Sequence, residues 1–324
     1  MKTKERVLEI LYKENGFISG ETIAESLGVS RNSVWKAVNA LKAQGYEIIA
    51  GAEGYMLSKG GFDEYSISRH LKREHKLHLY KKESSSNIVA KALCQNGERE
   101  GSVVIVESQS SGRGRLGRSF LSSSENGLYM TIILRPKIPA NECVNITVAC
   151  AVAVARAIEE TSGIMVGIKW VNDIYINEKK CAGILTEASV DFEGGGVQYV
   201  VVGIGVNLCP PVEGFDAEIK EIACGVYEKV CPSGYKSLLC AQIINKFFDI
   251  YECIDNKEYL SEYKSKSIIV GKEVDVYVGD NFISGTAVDI DENANLVVRD
   301  ENGSLHTFGS GEARVRKAND KRGI

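Results

Sequence analysis

Gln109-Ser110-Ser111-Gly112-Arg113-Gly114-Arg115-Leu116-Gly117-Arg118 is the stretch on which the fold turns. From Gly112 to Gly117 it spells G-x-G-x-x-G behind the apolar run 103–106, the outline of a dinucleotide-binding turn. Such a turn must lead into a helix with an apolar stripe, whose N-terminus holds a pyrophosphate. Here the glycines run into Arg118-Ser119-Phe120-Leu121-Ser122-Ser123-Ser124, which has no apolar face of helical period, so the Rossmann reading is rejected. Three arginines interleaved with three glycines describe instead a flexible loop that wraps an anion with guanidinium forks and backbone N–H groups. A merely solvated basic loop does not call for glycine at every second position.

Around this loop, strand-like runs at 103–106, 128–134, 164–170, 184–190 and 200–206 alternate with helical segments near 86–96, 141–161 and 238–256. Strands follow strands more often than a βαβ repeat allows. The expectation is an α+β domain over 61–267 with a mixed, mostly antiparallel sheet, helices on one face and the other face free to pair. From residue 268 to 324 short strands at 274–278, 282–290, 296–299 and 305–308 are split by Gly279-Asp280-Asn281, Glu292-Asn293-Ala294-Asn295 and Glu301-Asn302-Gly303, which predicts a small all-β barrel.

Residues 1–60 read as three short helices and a hairpin, with Ser58-Lys59-Gly60-Gly61 as a linker. Ser30 is a natural N-cap for the third helix, whose core face is Val34, Val38 and Leu41 at spacings of four and three. Two alternating strands about Gly51 complete a winged helix-turn-helix. That arrangement sets Ser30, Arg31, Asn32, Ser33 and Lys36 at the start of a recognition helix, where they would meet base edges and phosphates of operator DNA; Trp35 is expected to pack inward. Residues 1–60 carry 8 Lys+Arg against 7 Asp+Glu, too small an excess to argue for nucleic acid without the pattern.

With 324 residues, 44% hydrophobic and 25% charged, the chain has room for two or three domains and is neither disordered nor a disulfide-stapled mini-protein. No apolar run reads as a membrane span and no secretory pattern opens the chain, so the expected location is cytoplasmic, with no membrane partner. Nine cysteines, an odd number without C-x-x-C, read as buried thiols in a reducing compartment. His75 and His78 sit in a Lys-rich segment and read as surface charge, so no protein-held metal is expected.

A second cluster carries chemistry. Lys169-Trp170-Val171-Asn172-Asp173 ends one strand, Asn177-Glu178-Lys179 is a hairpin turn, and Lys180 enters Cys181-Ala182-Gly183-Ile184-Leu185. An ammonium entering apolar surroundings needs an anionic partner, which is either a ligand or Asp173. Gly203-Ile204-Gly205-Val206-Asn207 ends a buried strand with two glycines and an amide, suited to close approach by a flat ring.

Taken together, Gly-Arg-Gly-Arg-x-Gly-Arg at 112–118, Lys-Trp-x-Asn-Asp at 169–173, Lys-x-Ala-Gly-Ile-Leu at 180–185, Gly-Ile-Gly-Val-Asn at 203–207 and Ser85-Ser86-Asn87 resemble the motifs of the biotin protein ligases. With the N-terminal module the chain resembles their bifunctional biotin operon repressor type over essentially its whole length. The resemblance implies a central fold like that of class II aminoacyl-tRNA synthetases and an SH3-like C-terminal barrel. It implies that Ser85, Ser86, Asn87, Gln109 and Gly183 line a biotin pocket, with Arg113, Gly114, Arg115 and Lys180 closing over the biotin carboxylate and phosphate. Arg118, Phe120, Asn172, Asp173 and Asn207 would face ATP or the adenylate. Ser86 stands where the family has Thr, and Ser119-Phe120 where some relatives carry a Trp that packs on adenine.

The implied reaction joins biotin to ATP as biotinyl-5′-AMP and passes biotin to a lysine of a biotin carboxyl carrier protein, such as that of acetyl-CoA carboxylase. Magnesium would accompany the ATP through phosphate oxygens and a carboxylate such as Asp173, without a dedicated protein cage. Lys180, Arg115 and Arg113 would offset the repulsion of two anions, and Asp173 would accept the amine proton. A biotinyl-AMP-dependent repressor of biotin genes, acting as a ligand-promoted homodimer, is the second implied activity. Lipoate or octanoate ligation, a catalytically silent biotin sensor, and a ligase with a vestigial N-terminal domain stay open at this point.

Overall fold

The computed structural model describes residues 2–14, 16–59, 61–118, 120, 122, 126–190, 196–211, 214–279 and 281–316. Gly60, Ser119, Leu121, Ser123, Ser124 and Asp280, quoted above, lie outside these residues. The chain divides into two units, Met1–Lys72 with Cys231–Ala241, and Arg73–Val230 with Gln242–Ile324.

In the first unit α1 (Thr3–Lys13), α2 (Gly20–Leu27) and α3 (Arg31–Ala43) are followed by an antiparallel hairpin of β1 (Glu47–Gly51) and β2 (Gly54–Lys59). Ser19 and Ser30 cap α2 and α3 by accepting from Thr22 N and Ser33 N, which satisfies N–H groups that have no partner inside the helix. Val7, Leu8, Leu11, Ile23, Val34, Val38 and Leu41 close one core. Burying each of the larger of these side chains contributes about 1.5–3 kcal/mol. Ile18 pairs with Tyr55 through two backbone bonds of 2.9 Å, which ties the turn before α2 to the hairpin. A short α4 (Glu64–Ser68) follows, capped by Asp63, whose carboxylate also accepts from the Tyr46 hydroxyl at 2.8 Å.

One expectation fails in this unit. Trp35 is 55% exposed. Val34, Val38 and Leu41 already fill the inward stripe of α3, and the next residue along a helix turns about a quarter of the way round, which faces Trp35 outward.

The second unit is built on seven strands in the order β3-β4-β5-β9-β8-β7-β6. These are β3 (Leu77–Glu83), β4 (Val103–Gln109), β5 (Gly127–Leu134), β6 (Gly167–Lys169), β7 (Asp173–Ile176), β8 (Lys179–Val190) and β9 (Val197–Asn207). Only β3 and β4 run parallel. The helix α5 (Ser86–Gln95) packs over Val104, Val106, Ile133 and Val201. The longer α6 (Cys143–Ser162) reaches the sheet where the Thr147 hydroxyl bonds Thr186 at 2.8 Å. Thr186 alternates with Glu187, whose cross-strand partner is Val201, so α5 and α6 lie on opposite faces. The expectation of helices on one face with the other free is therefore corrected: β5 is buried at every position. A sheet covered on both sides reads as continuous apolar strands rather than alternating ones.

The apolar helix α6 corrects a second expectation. By length and composition it matches a membrane span, yet residues 145–155 are all buried inside the fold. Nearly all-round burial removes the polar stripe that marks a surface helix. His75 and His78 are corrected as well: His75 stacks on Phe248 with ring centroids 4.6 Å apart, and His78 lies 2.9 Å from the Glu98 carboxylate. The nine cysteines are free thiols; five are buried as expected, but Cys143, Cys224 and Cys231 are half-buried and Cys253 is exposed.

Three further helices follow, α7 (Ala217–Lys220), α8 (Tyr235–Tyr251) and α9 (Tyr259–Ser265). The chain ends in an antiparallel sheet, β13-β12-β11-β10-β14, made of β10 (Glu273–Val278), β11 (Asn281–Ile290), β12 (Leu296–Arg299), β13 (Leu305–Phe308) and β14 (Glu312–Val315). Asp291 and Asp300 set the two turns on either side of β12, each carboxylate accepting from backbone N–H groups two and four residues on.

Candidate active site

One pocket gathers Ser85, Ser86, Asn87, Gln109, Arg113, Gly114, Arg115, Phe120, Asn172, Lys180 and Gly183, together with Ile184, Leu185, Gly203, Ile204 and Gly205. It forms on the α5 face of the sheet, where three pieces of chain meet. The start of α5 supplies neutral polar groups, the loop after β4 supplies cations, and β8 and β9 supply the floor.

At the neutral end Ser85, Ser86 and Asn87 are each at most 5% exposed. The Gln109 carbonyl accepts from Ser86 N at 2.7 Å, which leaves its NH2 group as a donor. The Thr131 hydroxyl lies 2.8 Å from Ser86 Oγ and 2.7 Å from Asn87 Oδ1. Asn87 Nδ2 donates to Glu187 Oε2 at 2.8 Å and to the Leu185 carbonyl at 3.2 Å. Burial would raise the Glu187 carboxyl, but bonds from Lys91 and Asn87 outweigh it and hold it below its ordinary value.

The floor has two glycines because side chains from above lie directly on it. A Cβ on Gly203 would stand 2.2 Å from Asn87 Oδ1, and one on Gly205 would stand 2.7 Å from the Phe120 ring. No side chain fits at either distance.

At the cationic end the arginine loop is folded back on itself. Gly114 N donates to Arg118 O at 2.7 Å and Phe120 N to Gly112 O at 2.9 Å. Arg115 donates to Asn172 Oδ1 at 3.2 Å, and burial pulls its pKa down although Asp173 and Glu312 act against this. Lys180 is fixed at the backbone by Ile222 O and Cys224 N, at 2.9 and 3.0 Å, and its ammonium stands 2.7 Å from Asp173 Oδ1. Of the two partners considered for that ammonium, the structure shows Asp173, and Lys180 also lines the pocket.

Three residues expected at the site stand outside the pocket wall. Asp173 stands behind it, paired with Lys180 and lying across from Gly183 on β8. Asn207 is at the end of β9, paired with Gly127. Arg118 forms a two-point ion pair with Glu312 on β14. Burial would raise Glu312, but the bonds from Arg118 and Arg314 bring it down to about 2. Thr131, Glu187 and Glu312 were not foreseen, since their partners lie 44 to 194 residues away in sequence.

On α3, Arg31, Asn32 and Lys36 are exposed as expected, with Trp35 among them. Ser30 is exposed and Ser33 half-buried, and their hydroxyls lie 2.9 Å apart within the helix cap.

Residues 79–207 match the biotin/lipoate A/B protein ligase family, residues 3–56 an HTH domain and residues 269–316 the biotin protein ligase C-terminal domain. The matches thus define a protein-ligase domain that follows a helix-turn-helix domain and precedes a ligase-type C-terminal domain along the sequence. The chain is 42% identical over 215 residues to the bifunctional ligase/repressor BirA of Bacillus subtilis, covering 64% of this chain and 66% of that protein. It is 24% identical over 318 residues to the Escherichia coli protein of the same name, covering 93% and 94%. The structure of the Aquifex aeolicus biotin protein ligase in complex with biotin and ATP superimposes with a TM-score of 0.60 at 27% identity, covering 75% of this chain and 99% of that one. The chain belongs to the biotin protein ligase family, in its bifunctional ligase/repressor group.

Proposed function

We propose that this protein joins biotin to ATP, giving biotinyl-5′-AMP and pyrophosphate, and transfers the biotinyl group to a lysine of a biotin carboxyl carrier protein. The observation that carries this reading is the polarity of the pocket. Neutral donors and acceptors from Ser85, Ser86, Asn87 and Gln109 line one part, Arg115 beside Asn172 and Lys180 beside Gly183 line another, and Arg113 adds a third cation to the wall. A ring bearing a urea fits the first part and a carboxylate beside a phosphate fits the second.

In the first step a carboxylate oxygen attacks the α-phosphorus and pyrophosphate leaves. Charge grows on the α-phosphoryl oxygens, where the Lys180 ammonium and the Arg115 guanidinium supply fixed positive charge. In the second step a lysine amine attacks the acyl carbon, AMP leaves with the former carboxylate oxygen, and Asp173 would accept the proton. Phe120, lying on Gly205, takes the place of a ring that packs on adenine. Asn172, Asn207 and Arg118 complete the nucleotide side.

Magnesium finds no ready-made cage. Asp173 is paired with Lys180 and Glu312 with Arg118, and among the described residues no three His, Cys, Asp or Glu groups converge. The ion would travel on the triphosphate. ATP–pyrophosphate exchange measured with biotin, lipoate and octanoate in turn tests the substrate: exchange with biotin is expected, and exchange with lipoate alone overturns the reading.

A second activity rests on α3. Its exposed face carries Arg31, Asn32 and Lys36, and no acidic residue occurs in the helix. We read the first unit as a winged helix-turn-helix with β1–β2 as the wing, acting as a biotinyl-AMP-dependent repressor, and the C-terminal sheet as an SH3-like barrel. Domains at 1–60, 61–267 and 268–324 follow from this reading, in a protein that works in the cytoplasm beside ATP, its carrier protein and DNA. Ligand bound under the arginine loop would promote pairing of two protomers, giving two recognition helices for a palindromic operator. Sedimentation with and without biotin plus ATP tests this, and an unchanged monomer–dimer balance refutes it.

A further inference from the structure

Asn87 is held so that only one hydrogen-bonding capacity remains free. A primary amide has two N–H donors and two oxygen lone pairs. Both donors are taken, by Glu187 Oε2 and the Leu185 carbonyl, and one lone pair is taken by the Thr131 hydroxyl. Turning the amide over would set its oxygen against a carboxylate and a carbonyl, neither of which has a proton to give. Glu187 is in turn held by Lys91, at 2.5 Å, one turn along α5 from Asn87 itself. The bare backbone of Gly203 lets the amide lie flat on β9. One acceptor position, on Asn87 Oδ1, is what this side chain has left for a ligand. Gln109, by contrast, spends one oxygen lone pair on Ser86 N and keeps N–H donors beside its remaining lone pair.

We propose that Glu187, acting through Asn87, is a positioning residue that sets the hydrogen-bond polarity at the ring end of the pocket, so that the ligand must bring an N–H to Asn87 Oδ1. This deepens the biotin reading and rests on it. Glu187 touches no ligand; it decides which way an amide faces, and Lys91 keeps it in place. The consequence is selectivity for a ring with an unsubstituted urea nitrogen next to a carbonyl, rather than for any ring of that size.

The test titrates the full-length wild type and Glu187→Leu with biotin and with its two isomers methylated on one or the other urea nitrogen, by calorimetry. The wild type is expected to prefer biotin over one isomer by 100-fold or more, and Glu187→Leu to reduce that preference below tenfold. A purely structural role would weaken both ligands alike and keep the preference, and that result overturns the proposal. Exchanging the two partners serves if Glu187→Leu does not fold. Asn87→Asp alone sets two carboxylates face to face and should lose tenfold or more in biotin affinity. Adding Glu187→Gln supplies an N–H to the new carboxylate and should restore it, and no restoration overturns the proposal. A wild type that binds no biotin sinks the biotin reading and this inference together; a wild type that binds it, with an unchanged preference in the variant, sinks the inference alone.

Discussion

Gly203→Ala probes the pocket floor where the geometry leaves least room. The new methyl would stand 2.2 Å from Asn87 Oδ1, against the 3.4–4 Å of ordinary contact, so the amide has to move by more than 1 Å. It cannot do so and keep its bonds to Thr131 and Glu187 at 2.7 and 2.8 Å. Losing a neutral hydrogen bond costs about 1 kcal/mol and one to a carboxylate about 1.5–3 kcal/mol, together roughly 3 kcal/mol. If the ligand reads the amide in its present place, that becomes a rise of about two decades in the KM for biotin. The KM for ATP should change far less, because Asn87 stands at the other end of the pocket. The assay is biotin-dependent pyrophosphate exchange at varied biotin and then varied ATP, with a thermal melt as control. A biotin KM within twofold of wild type, in a protein that still folds, refutes the reasoning.

Lys180→Ala should lower kcat for exchange by about 10²–10³, the usual cost of removing one preorganised charge, with a much smaller effect on biotin binding by calorimetry. Glu312, depressed to about 2 by Arg118 and Arg314, contributes stability that is present above the ordinary carboxylate value and is lost as pH falls toward 2. Acid unfolding of Glu312→Gln should accordingly have a shallower dependence between pH 4.5 and 2 than wild type, and an identical slope would remove the ion pair from the account. On α3, Trp35→Ala should leave stability within about 0.5 kcal/mol and weaken binding to the protein's own upstream DNA, whereas Leu41→Ala, fully buried, should cost about 2–5 kcal/mol in urea unfolding.

The parts of this molecule written in local periodicity were legible before any coordinates. The cap at Ser30 and the stripe Val34, Val38, Leu41 place α3, and the residues that follow the glycine-split loop at 112–118 exclude a Rossmann turn. Eleven of the expected ligand-site residues line one pocket because their motifs are short and each sits at a fixed point on a strand or helix end. What stayed hidden depends on distance along the chain. Arg118 carries no sign of Glu312, 194 residues away, nor Asn87 of Glu187, 100 away. The 164–170 run forms a strand only at Gly167–Lys169, and β14 adds a strand beyond the four expected in the C-terminal sheet. Burial on both faces erases alternation, which is why the second helical layer went unforeseen and α6 lacked the polar stripe of a surface helix. Trp35 was misplaced by size alone: a large aromatic is usually buried, but the stripe on its helix was already full.

A crystal structure with biotinyl-5′-AMP tests the central claim most directly. The account places the urea ring against Ser86, Asn87 and Gln109 and the phosphate between Arg115 and Lys180. Density for the adenylate in any other part of the fold, or in this pocket with its two ends reversed, contradicts it.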